Sequence, residues 1–176
     1  MLASLFIVSA IAQAADFDAW SEPSPNQKLW ATARRVANPD RPNLLYFDGL
    51  EIFISDIGPE GRPGRVIAHL DFAGRLISRI GWSPDSKFLL FTTTSSGGHS
   101  PWHFNTFVFC VSDKTFRDVE DVTGGSVIAP NFRFESSDTA VLTVHDTTAP
   151  EKDGEMASKQ IKISLAKLSD RMKPLP

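Results

Sequence analysis

The chain is organised around one turn and the strand that follows it. From Trp82 to Phe91 it reads Trp-Ser-Pro-Asp-Ser-Lys-Phe-Leu-Leu-Phe. Pro84 fixes its own φ, and Asp85 can bond its own backbone, so Ser83 to Ser86 reads as a tight turn. Lys87 leads into Phe88 to Phe91, a run with the length and aromatic content of a buried strand. A chain carrying this unit more than once is committed to short strands joined by turns.

The rest of the sequence follows that plan. Asp16 to Pro25 is a lead-in segment in which Trp20 packs on the body. Strands are expected from Leu29 to Val36, Glu51 to Asp56, Val66 to Phe72 and Leu76 to Trp82. Further strands are expected from Lys87 to Thr94, Phe104 to Val111, Thr115 to Val122 and Val127 to Phe134. Ala140 to His145 and the alternating Ser158 to Leu168 complete the set. Gly58 to Gly64 is a loop without helical potential, Ala73-Gly74 a tight turn, and Thr147 to Ala157 a polar, acidic connection. No segment shows helical periodicity with caps. The expected fold is all-β, an antiparallel meander of blade-like four-stranded sheets.

Copies of the turn begin at Ser24, Ser83 and Ser136, an interval of roughly 55 residues, close to one four-stranded repeat unit. Ile52 to Asp56 and Val108 to Asp113 are both apolar strands closed by Ser-Asp. The stretch from Trp82 to Phe91 resembles the PD40 repeat of TolB-type β-propellers, Trp-Ser-Pro-Asp-Gly-Lys-x-Leu-Ala-Phe. Ser86 stands where that family has Gly. The first copy has Pro23 for the Trp and Asn26 for the Asp; the third has Ser137 for the Pro and Ala140 for the Lys. The resemblance implies that this turn is structural and that function lies in the loops and channel mouth, often as protein binding. A closed propeller takes at least four blades of about 40 residues, and the chain offers roughly three. A partial propeller, a curled sandwich or barrel, or a homodimer would solve the problem of open ends.

Composition narrows the partners. A net charge of -3 with scattered basic residues argues against nucleic acid or an anionic membrane. The single cysteine, Cys110, rules out an intramolecular disulfide and reads as a small buried hydrophobe. Residues 1–15 are uncharged, and Ala12-Gln13-Ala14 follows an apolar run too short to span a bilayer. That pattern predicts a cleaved signal peptide and a periplasmic or secreted protein, although no Lys or Arg precedes the run. Residues 16–168 then form one all-β domain, and 169–176 a tail. No later stretch reaches membrane-spanning length.

The most unusual local sequence is Ser95 to Phe104, where Gly97-Gly98 is followed by His99, Pro101, Trp102 and His103. Tryptophan is favoured at binding hot spots, so His99, Trp102 and His103 are the candidate recognition residues. Paired histidines can also ligate a metal, with His69, His145 and Asp146 as remote partners. No Gly-x-Ser-x-Gly elbow and no phosphate-binding glycine motif is present. His145-Asp146 reads as a strand end rather than a dyad. The expectation is a non-enzymatic, cofactor-free module that binds another protein, of an inhibitor or immunity type. The alternative is a metal-dependent hydrolase using His99, His103 and His145.

Overall fold

The computed structural model describes residues 19–37, 49–95, 103–150 and 156–168. They form three antiparallel sheets, each a meander of consecutive strands. The first holds β1 (Ala19–Pro23), β2 (Leu29–Val36), β3 (Gly49–Ile57) and β4 (Pro63–Phe72) in that order. The second holds β5 (Arg75–Trp82), β6 (Phe88–Ser95), β7 (Asn105–Cys110) and β8 (Thr115–Asp118). The third holds β9 (Arg133–Phe134), β10 (Thr139–His145) and β11 (Ser158–Ser164). The sheets do not close into a barrel, so of the expected arrangements the meander of blade-like sheets is the one observed.

The second sheet lies between the other two, and its inner strands β6 and β7 are buried on both faces. Side chains alternate across a strand. Phe88 and Leu90 therefore enter one core with Val108, Cys110, Leu142, Val144 and Ile163. Leu89 and Phe91 enter the other with Ile52, Ile54, Leu70, Phe107 and Phe109. A strand covered on one face alternates apolar with polar; one covered on both does not. That is the physical reason for the unbroken Phe-Leu-Leu-Phe run.

The recurring turn occupies the same place, between the first and second strand, in all three sheets. In the first two copies the bonds match atom for atom. The Ser24 and Ser83 amides donate to the carbonyls of Leu29 and Phe88, both at 2.8 Å. Their hydroxyls donate to Asn26 and Asp85 Oδ1, both at 2.9 Å. Ser136 Oγ repeats the last contact with Asp138 Oδ1, again 2.9 Å, although its turn is one residue tighter: Glu135 N–H bonds Thr139 O. A second bond recurs where each third strand ends. Ile57, Val111 and Leu165 amides donate to Lys28, Lys87 and Asp138 carbonyls, at 3.3, 3.0 and 2.6 Å.

Several elements differ from expectation. The lead-in segment contains the edge strand β1. Residues Pro59–Gly61 make a 3-10 turn, and β4 begins already at Pro63, inside the expected loop. The expected strand to Val122 stops at Asp118, and Glu120–Thr123 form a single helical turn, α1. Between Val127 and Phe134 only an isolated bridge, Val127 to Val144, and the short β9 form. The last strand ends at Ser164, and Leu165–Leu168 form a second helical turn, α2, which buries Leu165 and Leu168. The signal-peptide and tail assignments, 1–15 and 169–176, lie outside the described residues.

The ends of the stack are polar. On the outer face of the first sheet, Arg34 Nε donates to Glu51 at 2.6 Å and its guanidinium lies 4.9 Å from the Phe53 ring. His69 stacks on the same ring, with centroids 4.5 Å apart. On the third sheet, Lys162 pairs with Glu135 at 2.8 Å. Val36 and Val66 are the exposed large hydrophobics among the described residues. Polar outer faces end this stack as capping repeats end a solenoid.

Ser86 tests the turn. It sits at φ 64°, a left-handed conformation that costs a non-glycine residue about 1–2 kcal/mol. Yet its hydroxyl accepts the Asn26 N–H of the neighbouring sheet's turn at 2.9 Å, worth about 0.5–1.5 kcal/mol. Ser86→Ala keeps the strain and loses the bond, so we expect a loss of about 1 kcal/mol in urea denaturation. Ser86→Gly loses both and should lie near wild type, above the alanine variant. A glycine variant less stable than the alanine one would refute this balance.

Candidate functional site

An antiparallel meander sends alternate connections to opposite ends. The first-to-second and third-to-fourth turns share one end, where Asp56 Oδ1 accepts the Arg65 amide at 2.6 Å and Asp113 Oδ1 the Thr115 amide at 3.2 Å. The long second-to-third connections of all three sheets share the other. Of the candidate recognition residues, His99 and Trp102 lie in one of these connections, outside the described residues. His103 is described, and it stands at this loop end just before β7.

His103 is fixed by a carboxylate that sequence reading did not pair with it. Its Nε2 donates to both oxygens of Glu120, at 3.0 and 3.1 Å. Asn105 Nδ2 reaches Glu120 Oε2 at 3.4 Å. Glu120 opens α1, and its own amide bonds Asp118 Oδ1 at 2.8 Å. Gly124 ends that turn at φ 66°, where an L side chain would be strained. A Cβ on Gly125 would meet the His145 carbonyl at 2.9 Å, so glycine lets the chain approach β10 there. His103, Asn105, Asp118, Glu120 and Asp121 are thus brought together on the rim of the second sheet, with the end of β10 beside them.

Charge is concentrated on this rim. Burial pushes the Asp118 carboxyl above the ordinary aspartate value, and the Glu120 and Asp121 charges add to it. The Glu120 amide and His103 oppose the rise. The other candidates are dispersed. His69 belongs to the outer face of the first sheet, against Phe53. His145 bonds Ser126 O through its amide, while Asp146 Oδ1 takes the Thr148 hydroxyl at 2.7 Å and Lys159 Nζ at 3.0 Å. These contacts make the Asp146 carboxylate part of a turn, and they lower its pKa to about 2. Cys110 is fully buried, and burial, with Asp113 adding, pushes its thiol up to about 11. A thiol so protonated is a poor nucleophile at neutral pH. No cluster of three or more His, Cys, Asp or Glu suited to a metal occurs among the described residues. No helix there is long and apolar enough to cross a membrane.

Comparison with known proteins adds little. No family model matches the chain, and no curated protein matches it. A crystal structure of a puromycin hydrolase mutant complexed with PGG aligns with 88% of this chain at 11% identity and a TM-score of 0.34. This chain spans 28% of that one.

Asp118 yields a pH prediction. Its folded-state pKa is raised, so ionisation opposes folding above the unfolded value and the opposition disappears below it. Asp118→Asn keeps an acceptor for the Glu120 amide and removes the charge. Its unfolding free energy in urea titration should exceed wild type at pH 7 by about 1 kcal/mol or less. That advantage should vanish near pH 3. An advantage unchanged across the range would sink the assignment.

Proposed function

We propose that the protein is a secreted or periplasmic, non-enzymatic module of PD40-like repeats that binds another protein through its loop end. The topology is the observation that supports this most directly. All three long connections emerge at one end, away from the structural turns, and the connection carrying His99 and Trp102 resumes at His103, which Glu120 anchors. Binding residues commonly sit on loops that a rigid scaffold positions. Here the scaffold is the doubly buried second sheet, from which β6 enters the loop and β7 receives it. An inhibitor or immunity-type role fits a small exported binder of this form.

Affinity capture from native medium or periplasmic extract, using the intact chain as bait, tests the proposal. Trp102→Ala should weaken the captured partner by ~30-fold or more, the loss of about 2 kcal/mol expected of a hot spot. His103→Ala should weaken it less, acting through the loop base. A partner retained equally by both variants would move the interface elsewhere. Stoichiometric zinc in the purified protein, with hydrolysis lost in the His103 variant, would favour the hydrolase reading.

A further inference from the structure

His103 has two ring nitrogens, and the fold uses one of them. Nε2 lies 3.0 and 3.1 Å from the two oxygens of Glu120. An ionised carboxylate only accepts hydrogen bonds, so Nε2 carries the proton in this contact. The bond made by one ring nitrogen sets the state of the other, which leaves Nδ1 of the neutral ring as a bare acceptor. Nδ1 bonds nothing among the described residues and is not shut away from water. The side chain is 36% exposed. Three carboxylates stand around it. Glu120 and Asp121 belong to α1, and Asp118 ends β8. Among the described residues the ion pair of this rim is that of Glu120 with His103. Asp146, just past β10, is by contrast held by Lys159. Burial raises the Asp118 carboxyl, and the Glu120 and Asp121 charges raise it further, so these groups act on one another.

We infer that His103 Nδ1 and the carboxylates beside it receive a basic side chain, lysine or arginine, of the bound partner protein. This rests on the loop end being the interface, and it adds what the partner presents there. Opposite Nδ1 the partner needs a donor, because an acceptor would set lone pair against lone pair. That donor is positive, because a further carboxylate would meet groups of its own sign, and like charges across an interface are costly. A neutral amide or hydroxyl satisfies Nδ1 alone. An ammonium or guanidinium satisfies Nδ1 and also offsets the charge of Asp118, Glu120 and Asp121. Glu120 is the positioning residue: it holds the ring and fixes which nitrogen is left to accept.

Nitrogen-15 NMR of the full chain at neutral pH reads the ring directly. His103 should show a protonated Nε2 and a bare Nδ1. Glu120→Gln, whose amide can donate to Nε2, should shift the population toward the other tautomer. A wild-type ring protonated on Nδ1, alone or together with Nε2, would overturn the inference. The ligand class is read by titrating Nα-acetyl-lysine methylamide, its arginine counterpart and its uncharged norleucine counterpart, following the His103 ring signals. A saturable shift is expected with a basic probe and none with norleucine. Asp121 is exposed and outside the His103 contact, so Asp121→Asn should fold normally and bind the basic probe about two- to fivefold more weakly. No saturable shift, an equal shift with norleucine, or undiminished binding by Asp121→Asn would each sink the idea. The loop reading fails separately. A captured partner kept by Trp102→Ala but weakened by Asp121→Asn would remove that reading and leave this site; the opposite pattern would do the reverse.

Discussion

Burial of β6 on both faces is the constraint on which the rest of the structure depends. Phe91 and Leu89 point into one core and Leu90 and Phe88 into the other, and β7 beside it does the same with Phe107 and Phe109 against Val108 and Cys110, so the centre of one sheet joins two hydrophobic clusters that share no other sheet. Each fully buried side chain of this size contributes about 1.5–3 kcal/mol. The second sheet thereby fixes the separation of its neighbours, and its ends fix where the loops leave. Polar outer faces follow from the same arrangement. Once a central sheet hides both its faces, the flanking sheets have one apolar face each to bury, and Arg34, Glu51, Glu135 and Lys162 can take the outside.

The recurrent turn does a different job. It repeats as a hydrogen-bond pattern more faithfully than as a sequence. Asn26 replaces an aspartate in the first copy and accepts the same serine hydroxyl, because an amide oxygen serves there as well as a carboxylate. Ser86 ties two turns together. The degraded third copy keeps only the Ser136 to Asp138 contact and the Leu165 bond. What the repeat preserves is the point where the end of the third strand bonds back to the start of the second.

Much of this was legible in the residues, and the failures share a cause. Local signals were sufficient wherever one strand's own composition decided the outcome, as at Phe88 to Phe91 or at the Ser-Pro turns. They failed where tertiary pairing decided it. Trp20 to Pro23 has little apolar content, yet it pairs along β2 as an edge strand, where Pro23 is tolerated. Val127 to Phe134 has strand composition, but Pro130 interrupts it and offers its carbonyl to Thr92 instead. The alternation from Ser158 breaks at Leu165, and Leu165 and Leu168, three apart, follow helical spacing. His103 was singled out from its loop alone. Its partner Glu120 sits on another element, and no sequence spacing connects them.

That pairing bears on how a chain with so regular a scaffold comes to carry a distinctive end. At the turn end, carboxylates are consumed: Asp56, Asp85, Asp113 and Asp138 each accept bonds from their own turn, which lowers Asp85 and Asp113 below the ordinary aspartate value despite partial burial. At the loop end, Asp118 is raised instead, chiefly by burial, with the Glu120 and Asp121 charges adding and the Glu120 amide and His103 opposing. Carboxylates that satisfy a backbone stabilise the fold. Ones crowded together at an opening raise its energy, and a fold tolerates that where the surface serves something other than stability. The contrast is confined to the Asp118 rim, because Asp146, also at the loop end, is bonded by Thr148 and Lys159 and lowered like the turn-end carboxylates.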